Sequence, residues 1–188
     1  MHSWMVLPLT RPLDAAASEP LVFETVYGRH FRAIWRTLRR LGVRDAQLDD
    51  AAQDVFVVVY RKLAEFDGRS LRGWLYAIAV RVASDYRRDA ARRSAVPLSE
   101  LVADAALGPA QISELHESLQ LLYVLLDQLD VAKRTVFVLG ELEQLSAPEI
   151  AEALGVNLNT VYARLRAARR EFDAALTRHR LRSARSVP

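Results

Sequence analysis

Between Pro20 and Leu41 the apolar positions Phe23, Val26, Tyr27, His30, Phe31, Ile34, Trp35 and Leu38 recur at the 3.6-residue period, which predicts an amphipathic helix that Gly42 stops. A second helix is expected over about Leu48 to Phe66. It opens on Asp49, Asp50 and Asp54, charges that suit the positive end of a helix dipole, and continues into the apolar run Val55 to Tyr60. The turn Asp67-Gly68-Arg69-Ser70 leads to a third helix, from Leu71 to about Arg93, with Trp74, Leu75, Ile78, Ala79 and Val82 inside and a basic far end. Three helices with short connections make a compact all-α unit.

From Ser94 to about Ala110 the periodicity dissolves into small residues with Pro and Gly, the pattern of an interdomain linker. Helical spacing resumes at Ile112, Leu115, Leu119, Leu122, Tyr123 and Leu126, and again over Val131 to Leu142. The expected fold is therefore all-α, with two small helical domains joined by a flexible linker. The boundaries are a flexible arm over 1–20, a first domain over 21–93, a linker over 94–111, a second domain over 112–178 and a frayed basic tail over 179–188. No strand pattern and no internal repeat is visible.

The stretch Ser146 to Arg170 carries the sharpest local signals. Ser146 and Glu149 form a capping box, Pro148 fits a first helical turn, and Ile150, Ala151 and Leu154 give a short apolar stripe ended by Gly155. Asn157 is placed to cap the next helix, on which Val161, Leu165, Ala168 and Phe172 share one face. Opposite that stripe stand Asn159, Tyr162, Ala163, Arg166, Arg169 and Arg170, with Arg164 on its flank. A helix, a tight turn and an arginine-bearing helix make a helix-turn-helix, whose second helix enters the major groove, where arginine pairs with guanine edges or holds phosphates.

Net charge is only +3 over 188 residues, but its distribution is uneven. From Gly68 to Arg93 seven arginines face two aspartates, and from Arg164 to Arg185 eight arginines face Glu171 and Asp173. Between these patches, Ser99 to Glu152 holds ten acidic residues against Lys133 and Arg134. Two separate modules that touch nucleic acid would give this alternation. The absence of cysteine excludes disulfides, thiolate metal sites and a cysteine nucleophile. The histidines His2, His30, His116 and His179 make no metal-ligand spacing and read as surface residues. No signal peptide, membrane span, phosphate-binding loop, dinucleotide fingerprint or nucleophile elbow is recognisable, so a cytoplasmic binding protein without cofactor or metal is expected, not an enzyme.

From Leu21 to Leu176 the chain resembles the extracytoplasmic-function group of bacterial RNA polymerase sigma factors. DDAAQDVF (Asp49 to Phe56) is similar to the family's helix for docking on the clamp helices of the polymerase β′ subunit, which implies contacts from Asp49, Asp50, Gln53, Asp54 and Phe56. FDGRSLRGWLYAIAVRVASDYRR (Phe66 to Arg88) resembles the segment that melts and reads the minus-ten element. Arg69, Arg72, Trp74, Tyr76, Arg81, Arg87 and Arg88 are the residues this implies. The segment from Leu126 to Arg169 resembles the module that contacts the β flap and the minus-thirty-five element. It implies DNA contacts from Asn157, Asn159, Thr160, Tyr162 and Ala163, and from Arg164, Arg166, Arg169 and Arg170. Core polymerase, promoter DNA and an anti-sigma factor are the implied partners.

The sequence departs from the family pattern at Val80 and Arg81, at Asp130 where proline is usual, at Gln144 where glycine is usual, and at Asn157-Leu158-Asn159. Two other classes of function remain open on the residues alone. One is a dimeric helix-turn-helix regulator that binds an operator; the other is a sigma-like adaptor or decoy that binds a protein. Co-purification with core polymerase and initiation at a promoter distinguish a sigma factor from both.

Overall fold

The apolar stripe of the first helix does what its spacing requires: Val26, Ile34 and Leu38 turn inward on α1, Phe23–Arg40. They meet the inward face of α2, Leu48–Lys62, through Ala51, Ala52, Val55 and Val59, and that of α3, Leu71–Arg92, through Leu75, Ile78 and Ala79. Fully burying a branched aliphatic side chain contributes roughly 1.5–3 kcal/mol, so this interior is the main favourable term holding the three helices against their loss of conformational entropy. A computed structural model describes residues 21–92 and 109–185; among them the chain is helical, with no strand. The 1–20 arm and most of the 94–111 linker lie outside the described residues.

The second domain begins with α4 at Pro109–Leu126, followed by α5 at Val131–Phe137, α6 at Ala147–Leu154 and α7 at Leu158–Arg185. Asp130 caps α5 by accepting from the Lys133 N–H at 2.9 Å, so an aspartate does by hydrogen bonding what a proline would do by fixing the backbone. Where the sequence predicts one helix over Val131 to Leu142, the structure widens into a π-helical turn at Val138–Leu142. Gly140 lies there because a Cβ would meet Leu165 Cδ1 at 3.3 Å and Ile150 Cδ1 at 3.4 Å. The segment then ends on Gln144, whose φ of 57° is the left-handed conformation that glycine adopts without cost.

Three expectations are corrected. The two domains, expected only as separate helical units, share their interior: their buried residues form one continuous cluster, from Val26 through Leu75 to Ile150 and Ala168, because α3 packs on α6. The described part of the basic tail, 179–185, is helical: α7 continues to Arg185, since arginine, alanine and leucine are all good helix formers. His30 is buried in α1, not exposed.

Burial, and then the charges of Arg29 and Arg72, hold the His30 imidazole below its ordinary value of 6.5. The unfolded chain takes up this proton near pH 6.5 while the folded chain does not, so stability is full above that pH and falls as pH drops towards the folded value. The urea midpoint is expected to fall between pH 7.5 and 5.5, and His30→Leu is expected to flatten that slope. A second expectation concerns Gln144. Its side chain donates to the Glu141 carbonyl at 2.6 Å, but the left-handed backbone costs about 1–2 kcal/mol. Gln144→Gly should therefore raise the unfolding free energy by up to about 1 kcal/mol, seen as a higher denaturation midpoint, whereas Gln144→Val should lower it.

Candidate nucleic-acid interface

The helix-turn-helix forms as its residues dictate. Ser146 Oγ accepts from the Glu149 N–H while Glu149 Oε2 accepts from the Ser146 N–H at 2.9 Å, closing the capping box. The Ser146 hydroxyl also donates to Glu149 Oε2 at 2.7 Å, and this bond first, then the one from the Ser146 N–H, holds the Glu149 carboxyl below its usual range. Gly155 ends α6 at φ 63°, and Asn157 Oδ1 accepts from the Asn159 N–H at 2.8 Å to cap α7. Val161, Leu165 and Ala168 are buried, and Phe172 stacks on Phe137 with ring centroids 4.6 Å apart.

The opposite face of α7 is open. Asn157, Asn159, Tyr162, Ala163, Arg166 and Arg170 are exposed, Tyr162 to 54%, and Thr160 and Arg164 are half-buried on the flanks. Arg169 is exposed but tethered, its guanidinium meeting Glu141 Oε1 at 2.6 Å from the π turn. This fixes one arginine in position and leaves its neighbours Arg166 and Arg170 on the same surface.

On the first domain, Asp49, Asp50, Gln53 and Asp54 are all exposed along α2. Asp49 Oδ1 accepts from Trp35 Nε1 at 2.8 Å, and Asp54 Oδ2 accepts from the Tyr86 hydroxyl at 2.7 Å. Burial, then the Asp54 hydrogen bond, holds the Tyr86 phenol well above its usual range, so it stays a donor and orients Asp54. Phe56, expected on the docking face, is instead buried and forms the floor of a groove of about 640 Å³. Its walls are Phe23, Tyr27, Val57 and Tyr60, and Tyr60 is 67% exposed. Tyr60 and Val57 belong to this acidic and apolar face and were not singled out by sequence. Their signal was present: of the aromatic pair Phe23 and Tyr27 one turn apart on α1, Phe23 stands edge-on to Tyr60 of α2 at 5.1 Å and Tyr27 meets Phe56 at 4.9 Å.

The residues expected at the minus-ten element separate into two groups. Arg69, Trp74 and Arg81 line a groove of about 250 Å³ whose opposite wall is Glu149, Glu152 and Ala153 of α6. Trp74 is half-buried against Phe66, its ring 5.2 Å away. Arg69 is anchored by Asp67, whose carboxylate is held below its usual range by the Arg69 backbone N–H and then its side chain. Arg69 also reaches Glu152 Oε1 at 3.1 Å. The second group, Tyr76, Arg72 and Arg87, is turned inward, and Arg88 belongs to neither. Tyr76 is only 3% exposed, and its hydroxyl donates to Glu143 Oε2 at 2.6 Å. Arg72 donates to the Glu143 carbonyl, and Arg87 donates to the Leu41 carbonyl at the C-terminal end of α1. Arg88, exposed, pairs with Asp85.

Glu143, which no sequence motif marked, is the centre of this arrangement. It is 6% exposed and accepts from Thr37 Oγ1 at 2.7 Å and Arg40 Nη1 at 2.7 Å as well as from Tyr76. Arg134 of α5 adds a donation to the Arg40 carbonyl at 2.6 Å, and Arg39 lies over the Tyr123 ring at 4.4 Å.

An all-α chain with a basic helix-turn-helix and a second basic helical domain has the architecture of a nucleic-acid-binding protein. The comparisons narrow the class to a family. Residues 26–93 match the family model for Sigma-70 region 2, and residues 119–172 match that for Sigma-70, region 4. The RNA polymerase sigma factor NccH of Alcaligenes xylosoxydans xylosoxydans is 31% identical over 86% of this chain and 90% of its own length. The ferric citrate uptake sigma factor FecI of Escherichia coli is 34% identical over 78% of this chain and 86% of its own. The structure of CnrH in complex with the cytosolic domain of CnrY superposes with a TM-score of 0.62 at 28% identity, covering 82% of this chain and 87% of that one. The chain belongs to the sigma-70 family of RNA polymerase sigma factors and is of the extracytoplasmic-function type. Its function is that of the family: it binds core RNA polymerase and directs it to promoters.

Proposed function

We propose that promoter selection is divided among three surfaces of this chain. The exposed Asp50, Gln53 and Asp54, with the adjoining Tyr60 and Val57, dock on the β′ clamp. Trp74, Arg69 and Arg81 hold the separated strand at the minus-ten element. The open face of α7 reads the minus-thirty-five element. The observation that carries this reading is the sorting of side chains on α7: Val161, Leu165 and Ala168 are buried and Phe172 is partly buried, while Tyr162, Arg166 and Arg170 stand together in solvent. The protein acts by binding alone, in the cytoplasm where polymerase and promoters are. The complex of CnrH with the cytosolic domain of CnrY supports an anti-sigma factor as a further partner of this chain.

Each surface has a distinct signature. A like-charge contact at an interface costs up to several kcal/mol, so Asp50→Arg with Asp54→Arg should lower affinity for core polymerase at least tenfold by fluorescence titration, while helix content is unchanged. Unaltered core affinity would remove α2 from the docking surface. On α7, loss of a bidentate arginine–guanine pair costs roughly 1–3 kcal/mol at one base pair, whereas loss of a phosphate contact weakens all sequences alike and lowers the salt slope by about one unit. Arg166→Ala holoenzyme titrated on singly substituted promoters at several salt concentrations is expected to show one of these two patterns. If affinity, preference and slope all match wild type, α7 is not the reader.

A further inference from the structure

We infer that Trp35 and Tyr86 are positioning residues for polymerase docking: each braces one carboxylate of α2 from a neighbouring helix, so that core polymerase meets acidic groups already set in place. The inference rests on the assignment of the exposed α2 face to core docking. Asp49 and Gln53, four residues apart, share the side of α2 that walls the aromatic groove towards α1. Asp50 and Asp54, again four apart, share the side towards Tyr86 of α3. Trp35 of α1 donates from Nε1 to Asp49 Oδ1 at 2.8 Å, and the Tyr86 hydroxyl donates to Asp54 Oδ2 at 2.7 Å. One brace therefore reaches α2 from each side.

The chemistry of the two donors separates these contacts from ordinary surface pairing. Asp67, Asp85, Asp127 and Asp130 are also exposed, and they pair with Arg69, Arg88, Arg134 and Lys133. Such a cation fixes a carboxylate but cancels its charge. An indole N–H and a phenol O–H fix it and leave the charge for a partner's arginine or lysine to meet. Tyr86 keeps its proton because of burial and, after it, the surrounding Asp54, Asp50 and Asp89. Both rings are half-buried against the core, whereas Asp49 and Asp54 are exposed, so water competes for each bond and its contribution to stability is small. Its effect is on direction. An unbraced aspartate exchanges among rotamers and loses that freedom when it docks; a braced one has lost it beforehand. Asp49 Oδ2 and Asp54 Oδ1 then remain to accept from the partner.

The test is a pair of double-mutant cycles on the full chain. Each unlabelled variant competes with one fluorescent preparation of the wild-type chain for core polymerase, and urea midpoints are taken on the same proteins. Tyr86→Phe, which removes only the donor, is expected to lower core affinity about fivefold and to lower it no further once Asp54→Ala is present. Its loss should persist in the Asp49→Ala background. Trp35→Phe is expected to show the converse, silent with Asp49→Ala and fully effective with Asp54→Ala. A residue that merely supports the fold would move the urea midpoint, or lower affinity alike in both backgrounds. Core affinity equal to wild type in both phenylalanine variants, or a loss that survives removal of the braced aspartate, overturns the inference. So does a Tyr86→Phe defect seen only in promoter binding at saturating core polymerase, which would make Tyr86 a DNA contact. If Trp35→Phe does not fold, the Tyr86 cycle decides alone. If Asp49→Ala and Asp54→Ala both bind core polymerase as wild type does, the assignment of α2 to docking falls first, and the bracing with it.

Discussion

The carboxylate of Glu143 sits where α1, α3 and the end of the π turn converge, and the relative placement of the two domains depends on it. Taking a carboxylate out of water costs several kcal/mol, which is recovered only when donors saturate its oxygens. Here Thr37 and Arg40 come from α1 and Tyr76 from α3, so no single helix satisfies the charge and all must be held together. Burial, then the proximity of Glu143, keeps the Tyr76 phenol well above its usual range, so the proton it donates stays in place. Breaking a buried charge network of this kind by removing one partner costs about 3–5 kcal/mol, a large fraction of the stability of a small protein.

The same constraint explains the irregular backbone before the helix-turn-helix. The π turn changes the phase of the helix just before Glu143, whose N–H donates to the Val138 carbonyl at 2.9 Å, and the left-handed Gln144 then redirects the chain into Leu145 and the α6 cap. Gly140 lets Leu165 and Ile150 approach this widened turn closely. Local strain is thus accepted at Gln144 so that one face of the module packs on the first domain while the α7 arginines remain in solvent.

Much of this was legible in the sequence because it is local. The Ser146–Glu149 box, the Gly155 stop, the Asn157 cap and the Val161, Leu165, Ala168, Phe172 stripe are each fixed by residues within one or two turns, and each stands as read. What was not legible is what depends on contacts across the chain. Glu143 looks like one more charge in an acidic stretch, and its burial is created by Thr37, Arg40 and Tyr76, which lie 67 to 106 residues away. The inward turn of Tyr76 and the merging of the two cores follow from that same contact. His30 and Phe56 were misplaced for a simpler reason: their helices have wide apolar faces, and periodicity alone does not say which edge of such a face is covered.

Crosslinking of the assembled initiation complex tests the central claim most directly, that one chain presents two DNA surfaces to two promoter elements. With a photoreactive amino acid at Trp74 or at Tyr162, holoenzyme bound to a promoter selected by this chain should label DNA at separate places. Position 74 is expected to label the separated strand at the minus-ten element, and position 162 the duplex at the minus-thirty-five element. Labelling of one element from both positions, or of neither element from position 162, would contradict it.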